Sequence, residues 1–272
     1  MYKRQVKKLL SDFFQKKLSE FWYRDLKNAQ GDEKGVTISL YGKEIFNMLL
    51  EKGLIPGDKI KSGVCVPDWI KLKETHILKC LKGLVDTDGY IGAIKTKNFK
   101  FAKIIITFTS RSKNLARDFK KLSELAKIRC SNIHGPYETF DERTKKNYKI
   151  YSVSITAKDQ VQKFIRIVKP MKWEYNKEII GIILNLYKNP LIFESIKQGL
   201  TDKFGKLNLF SKDQQEFLRN QLKSKNININ TQDIGDAIDA AFSYNRIHYT
   251  YHFAEELKDC LLYTSPSPRD RS

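Results

Sequence analysis

Residues Leu81–Gly89 read LKGLVDTDG, and the fold and chemistry of the chain are best worked out from this stretch. Cys80, Gly83 and Thr87 are spaced i, i+3, i+7, so a helix here carries small residues along one face. Small residues let two helix backbones approach closely. Gly83 inside a helix costs about 1 kcal/mol relative to alanine. Close packing against a partner helix is one reason to keep it; an ordinary glycine in a core helix is the other reading. Asp86 and Asp88 stand at the C-terminal end, just before Gly89, a residue suited to the C′ position. Carboxylates there face the negative end of the helix dipole, so a divalent cation or a Lys or Arg is expected beside them. A solvated pair of turn aspartates is the plain alternative, because Asp-Gly is a common turn sequence.

Working outward, Ile77, Leu78, Leu81, Leu84 and Val85 follow the 3.6-residue period and predict a helix over Glu74–Asp88. Upstream, the apolar spacing over 7–28 predicts a helix, the polar GDEKG at 31–35 a loop, GVTISL at 35–40 a strand, and Lys43–Lys52 a helix ended by Gly53. Downstream, Tyr90–Lys97 and Phe101–Thr109 predict two strands, and Ser112–Ile128 a helix. Ser131–Phe140 and Tyr148–Thr156 predict two more strands, followed by helices over Lys158–Val168 and Asn176–Tyr187. Pro190 marks a boundary, and 191–259 is mainly helical, with helices at Lys212–Lys223 and Thr231–Phe242.

LKGLVDTDG resembles the LAGLIDADG (dodecapeptide, DOD-type) signature of homing endonucleases. The Leu, Gly, Leu, both Asp and the final Gly fall in register, while Lys82 and Thr87 replace nominal alanines. GLIPGDK and VPDWI resemble the segment that precedes the second motif in two-repeat members. The resemblance spans roughly residues 10–190. It implies an α+β fold: an αββαββα unit with a saddle-shaped antiparallel sheet, preceded by a partial first repeat and followed by a small helical region. It also implies a divalent-metal-dependent, site-specific endonuclease acting on double-stranded DNA. Two motif helices pack side by side, and the last Asp of each holds the Mg²⁺ or other divalent ion, a hard cation suited to carboxylate oxygen. Here that residue is Asp88, catalytic and metal-binding; Gly83, Asp86 and Gly89 are the structural residues of the motif. A basic residue near the scissile phosphate is Lys172, with Lys169 and Lys177 as rivals, and Ser110 matches a position that often organises water.

Composition agrees with a polyanion partner. The net charge is +19, and 41% of the residues are hydrophobic, enough to fill a core. No apolar run approaches the roughly 18–20 residues of a membrane span. Cys65, Cys80, Cys130 and Cys260 form no CxxC pair, which argues against a zinc ribbon or disulfide scaffold and for a reduced, intracellular (cytoplasmic) protein. The resemblance places DNA contacts on the strands: Tyr90, Lys97, Lys103, Thr107 and Thr109 from the first pair, with Thr96 and Lys100 as further candidates. The second pair offers Arg143, Lys149 and Tyr151, with Tyr137, Lys145 and Lys146 beside them. Lysine and arginine supply phosphate affinity, whereas base readout needs correctly directed side chains. Strict alternation puts Ile94 on the face of Tyr90, which a bulge or an apolar contact would explain.

Residues 1–5 (MYKRQ) and 260–272 (CLLYTSPSPRDRS) resemble the translated ends of a sequencing-library adapter. The expected organisation is then 6–60 as the remnant of a first repeat, 61–190 as the second repeat, and 191–259 as a helical accessory region. One signature is present, so the first motif is expected upstream and the active site is expected to be incomplete as written. A full-length member would be a monomeric pseudo-dimer; the remnant repeat argues against a homodimer. The endonuclease is free-standing or intein-borne. A DNA- or RNA-binding regulator or maturase on the same scaffold is the competing reading. Helices flanking NINT suggest a small DNA-binding module or plain packing. His248 and His252, spaced i, i+4 near Glu255 and Glu256, have a spacing that suits a metal but no HExxH pattern, and Tyr-rich surface is the preferred reading.

Overall fold

The computed structural model describes residues 22–27, 33–39, 41–58, 60–94, 102–141, 145–205 and 212–242. The chain divides into two compact units, Met1–Pro67 and Asp68–Ser272. In the first, Trp22–Lys27 (β1) pairs antiparallel with Glu33–Ser39 (β2), Trp22 opposite Ser39 and Leu26 opposite Gly35. Helix α1 (Lys43–Glu51) follows and closes at Gly53, whose φ of +87° suits glycine. Two expectations are corrected here. Trp22–Lys27 is strand rather than the end of a helix, because pairing with β2 satisfies its backbone and outweighs the helical spacing. Glu33–Gly35 of the supposed loop belongs to β2. The helix expected over 7–21 lies outside the described residues, as do both adapter-like ends, the 243–259 segment with its histidines, and Thr96, Lys97, Lys100 and Arg143.

The second unit holds the motif. A short helix, α2 (Asp68–Lys71), leads into α3 (Glu74–Asp88), which carries LKGLVDTDG. Strands β3 (Gly89–Ile94) and β4 (Lys103–Ser110), helix α4 (Lys113–Leu125), strands β5 (His134–Asp141) and β6 (Lys146–Ile155), and helix α5 (Lys158–Val168) complete the core. The sheet order is β3-β4-β6-β5, with neighbouring strands antiparallel. This is the expected α+β arrangement, helix–ββ–helix–ββ–helix.

Alternation along the strands sends Ile104, Ile106 and Phe108 of β4, and Val153 and Ile155 of β6, into the core. They meet Ile77, Leu81 and Val85 of α3, Phe119 and Leu122 of α4, and Val161 and Phe164 of α5, all buried. Phe108 stacks on Phe119 with centroids 4.8 Å apart. Each such fully buried aliphatic or phenyl side chain contributes about 1.5–3 kcal/mol. Helix α4 starts where Ser112 accepts a hydrogen bond from the Leu115 amide at 3.2 Å. α2 is pinned to it by Lys71, whose ammonium lies 3.2 Å from the nearly buried Asp118 carboxylate.

Three further helices follow α6 (Met171–Leu186): α7 (Pro190–Phe204), α8 (Lys212–Ser224) and α9 (Thr231–Phe242). α6 buries Trp173 and almost every residue from Ile179 to Leu186. A helix apolar on nearly all sides must be enclosed, and α9 lies along it. Gly181 makes this possible: a Cβ there would come within 2.4 Å of Ile234 Cγ2. Asn185 Nδ2 donates to the Asp233 carbonyl at 2.9 Å. The described C-terminal helices are part of the second compact unit, and Pro190 is the first residue of α7. Among the described residues no helix is long and apolar enough to cross a membrane.

Candidate metal and nucleic-acid site

α3 ends at Asp88, and the chain passes directly into β3. Gly89 has φ −84° and ψ 164°, extended backbone open to any residue, so the left-handed cap expected of it is corrected. Glycine is needed there for space: a Cβ would come within 2.6 Å of Val85 Cα and 2.8 Å of the Val85 carbonyl oxygen, both backbone. Gly83 behaves in the opposite way. It is exposed, and a Cβ at Gly83 would meet nothing within 4 Å. Among the described residues nothing covers the Gly83–Thr87 side of α3, and the Thr87 hydroxyl donates back to the Gly83 carbonyl at 2.9 Å.

The two aspartates have separate surroundings. Asp86 Oδ2 accepts from the Met171 amide at 3.1 Å, and Oδ1 from the Lys172 amide at 3.0 Å. These are the first two residues of α6, so Asp86 caps that helix and meets the positive end of its dipole. Asp88 is exposed and makes no hydrogen bond or ion pair with a described residue. Lys172 returns the cap: its ammonium donates to the Thr87 carbonyl at 3.0 Å and to the Gly89 carbonyl at 2.5 Å. The cation required at the C-terminal end of α3 is therefore a lysine of this chain. Burial pushes the Lys172 ammonium below the ordinary lysine range, against the opposing pull of Asp86 and Asp88. Its two rivals do not reach the motif. Lys177 pairs with Glu174 at 2.9 Å, and Lys169 is the exposed left-handed residue that ends α5. Ser110 Oγ accepts from the Ser112 amide at 3.0 Å and so shapes the turn into α4.

The donor set tests the implied ion. Asp88 offers hard carboxylate oxygens, and both oxygens of Asp86 are already engaged. One carboxylate suits a divalent ion that keeps most of its waters and takes further ligands from elsewhere. Among the described residues no group of three His, Cys, Asp or Glu side chains is placed to hold a metal. Burial pushes the Cys80 and Cys130 thiols up to about 11, so they stay protonated near neutral pH.

The sheet presents one face to the helices and one away from them. Thr107 and Thr109 alternate with the buried residues of β4 and lie on the second face, as does Lys103. Tyr90 is opposite Thr107, and Ile94 opposite Lys103, in an unbroken register, so no bulge relieves Ile94. Thr107 and Ser154 hydroxyls hydrogen-bond at 3.0 Å on this face. Tyr90 is 39% exposed; burial of the rest of the phenol, with Tyr187 nearby, raises its pKa. Lys149 and Tyr151 alternate the other way, in phase with buried Val153 and Ile155, so they point to the helix side. Two residues that were not among the candidates lie on the second face. Tyr148 shares the face of Ser152 and Ser154, and the Arg111 guanidinium lies 3.5 Å from its ring centre. An aromatic alternating with Ile150 and Ser152, and an arginine just past β4, were the available signals.

No curated protein matches the chain. One solved structure that the chain matches is that of the homing endonuclease I-CvuI, determined in complex with the I-CreI target in the presence of magnesium, with the DNA uncleaved. The identity is 16%, the match covers 57% of this chain and 98% of that one, and the TM-score is 0.30. Residues 75–169, from the start of α3 to the end of α5, match the LAGLIDADG-like domain family. The part of the chain that is similar to this family therefore holds the motif, the four-stranded sheet and three helices in the expected order.

Proposed function

We propose that this protein binds double-stranded DNA on the sheet face carrying Tyr90, Lys103, Thr107 and Thr109, and that Asp88 is half of a divalent-metal site for cutting it, as in homing endonucleases. The observation that carries the reading is the division of labour at the end of α3. Asp86 and Lys172 hold the motif by reciprocal caps, which leaves Asp88 exposed at the head of the sheet and without a partner among the described residues. A divalent ion bound there would activate water and stabilise the leaving oxygen of a phosphodiester. Asp88 would hold the ion, Lys172 and Asp86 would keep Asp88 in place, and the sheet would orient the duplex. The chain's charge of +19 would favour the encounter with phosphate.

A second carboxylate must come from another motif helix, and the uncovered Gly83 side of α3 would admit one. A helix of a longer, pseudo-dimeric polypeptide is our first choice of source, and a second copy the other. Because Asp88 stands alone, a DNA- or RNA-binding regulator or maturase is the second reading. The test is duplex binding and Mg²⁺-dependent nicking by the purified chain, alone and supplied with a helix-bearing first repeat. Cleavage that Asp88→Asn reduces at least about 100-fold, with duplex affinity retained, supports the nuclease. Sequence-selective binding without any cleavage favours the second reading, and absence of duplex binding overturns both.

A further inference from the structure

Arg111 follows directly on the last residue of β4 and is exposed. It makes no hydrogen bond or ion pair with any described residue; its contact is the face of the Tyr148 ring, at 3.5 Å. Arg117, Arg129 and Arg219 of this unit have polar partners: Asn114 at 3.3 Å, Asp159 at 3.4 Å and Glu178 at 3.5 Å. Lys172, at the end of the motif helix, donates to two carbonyls. Tyr148 alternates with buried Val153 and Ile155, so the pair sits on the same face as Thr107, Ser152 and Ser154. A guanidinium stacked on a ring keeps its plane, and its parallel N–H bonds lose less freedom when they engage a partner. The planar acceptor pair that such a fork matches in a major groove is O6 and N7 of guanine. A phosphate also offers such a fork two oxygens, but that contact would strengthen binding to all sequences alike.

We propose that Arg111 is a specificity-determining residue that reads a guanine in the major groove, with Tyr148 as the platform that holds its fork in plane. This rests on the DNA-binding reading above. Strand β4 would then present Thr107 and Thr109 along its length and, just past its end, one base-reading arginine.

The test is selection of bound duplexes from a randomised pool by the whole chain, then by Arg111→Lys, Arg111→Ala and Tyr148→Leu. The wild-type chain is expected to enrich guanine at one position. Both Arg111 variants should lose that single preference and lower the ratio of selected to random duplex affinity by about 5- to 150-fold. Tyr148→Leu should lower it less, at the same position. Unchanged melting temperatures of the variants show that the fold is intact. A preference that survives in Arg111→Lys overturns the proposal, and so does an equal loss on all sequences, which marks a phosphate contact. If the wild-type chain selects no sequence while binding all duplexes, the base-reading role fails and DNA binding stands. If it binds no duplex, the DNA reading itself fails.

Discussion

Asp86 and Asp88 are two residues apart, and an α-helix turns by about 100° per residue, so their carboxylates leave α3 on nearly opposite sides. That rotation sends Asp86 to the amides of Met171 and Lys172 and leaves Asp88 exposed. The need for a cation at this helix end was legible in the sequence. Its source was not, because the Lys172–Gly89 contact joins residues 83 apart. Lys172 also yields a pH prediction. Its folded pKa lies below the ordinary lysine value because of burial. Between the two values the unfolded chain binds more protons, so stability rises with pH as Lys172 passes through its folded pKa. Urea midpoints followed into the alkaline range should show this rise for the wild-type protein relative to Lys172→Met. Parallel curves for the two proteins would contradict the assignment.

At the scale of elements, α3 and α5 were readable to their ends, since each buries residues at strict helical spacing: Ile77, Leu81 and Val85, then Val161, Phe164 and Val168. The faces of β6 were not readable. Tyr148, Lys149, Ile150 and Tyr151 mix polar and apolar residues in both phases, and only the burial of Val153 and Ile155 fixes which way each one points. β1 misled because Leu26 and Trp22 are spaced for a helix yet pair against β2. The uncovered side of α3 gives a direct prediction. A Cβ at Gly83 meets nothing, so Gly83→Ala should stabilise the isolated chain by about 0.5–1 kcal/mol through helix propensity alone. Thermal melts of the two proteins at low concentration measure it. A lower melting temperature for the variant would mean that another helix already lies on that side in solution.

Across the whole molecule, α6 joins the motif to the C-terminal helices: Lys172 is at one end of it, and Asn185, bonded to the Asp233 carbonyl, is at the other. Sequence patterning placed α8 and α9 correctly but could not say what they cover. The one available clue was Gly181 inside the apolar run IIGIIL, where α9 now lies. Gly181→Ala should therefore cost about 1–3 kcal/mol, because Ile234 and its backbone must move. Its urea transition should remain single if α9 and the sheet unfold together; an early, separate loss of helix would show that they do not. The reciprocal caps have a spectroscopic consequence. Amides in the first turn of a helix normally exchange freely with solvent, since no helical carbonyl accepts from them. Those of Met171 and Lys172 are held by a carboxylate two residues from Asp88. They should stand out as slowly exchanging, downfield-shifted resonances, and a cation arriving at Asp88 should shift both before any other signal of α6 responds.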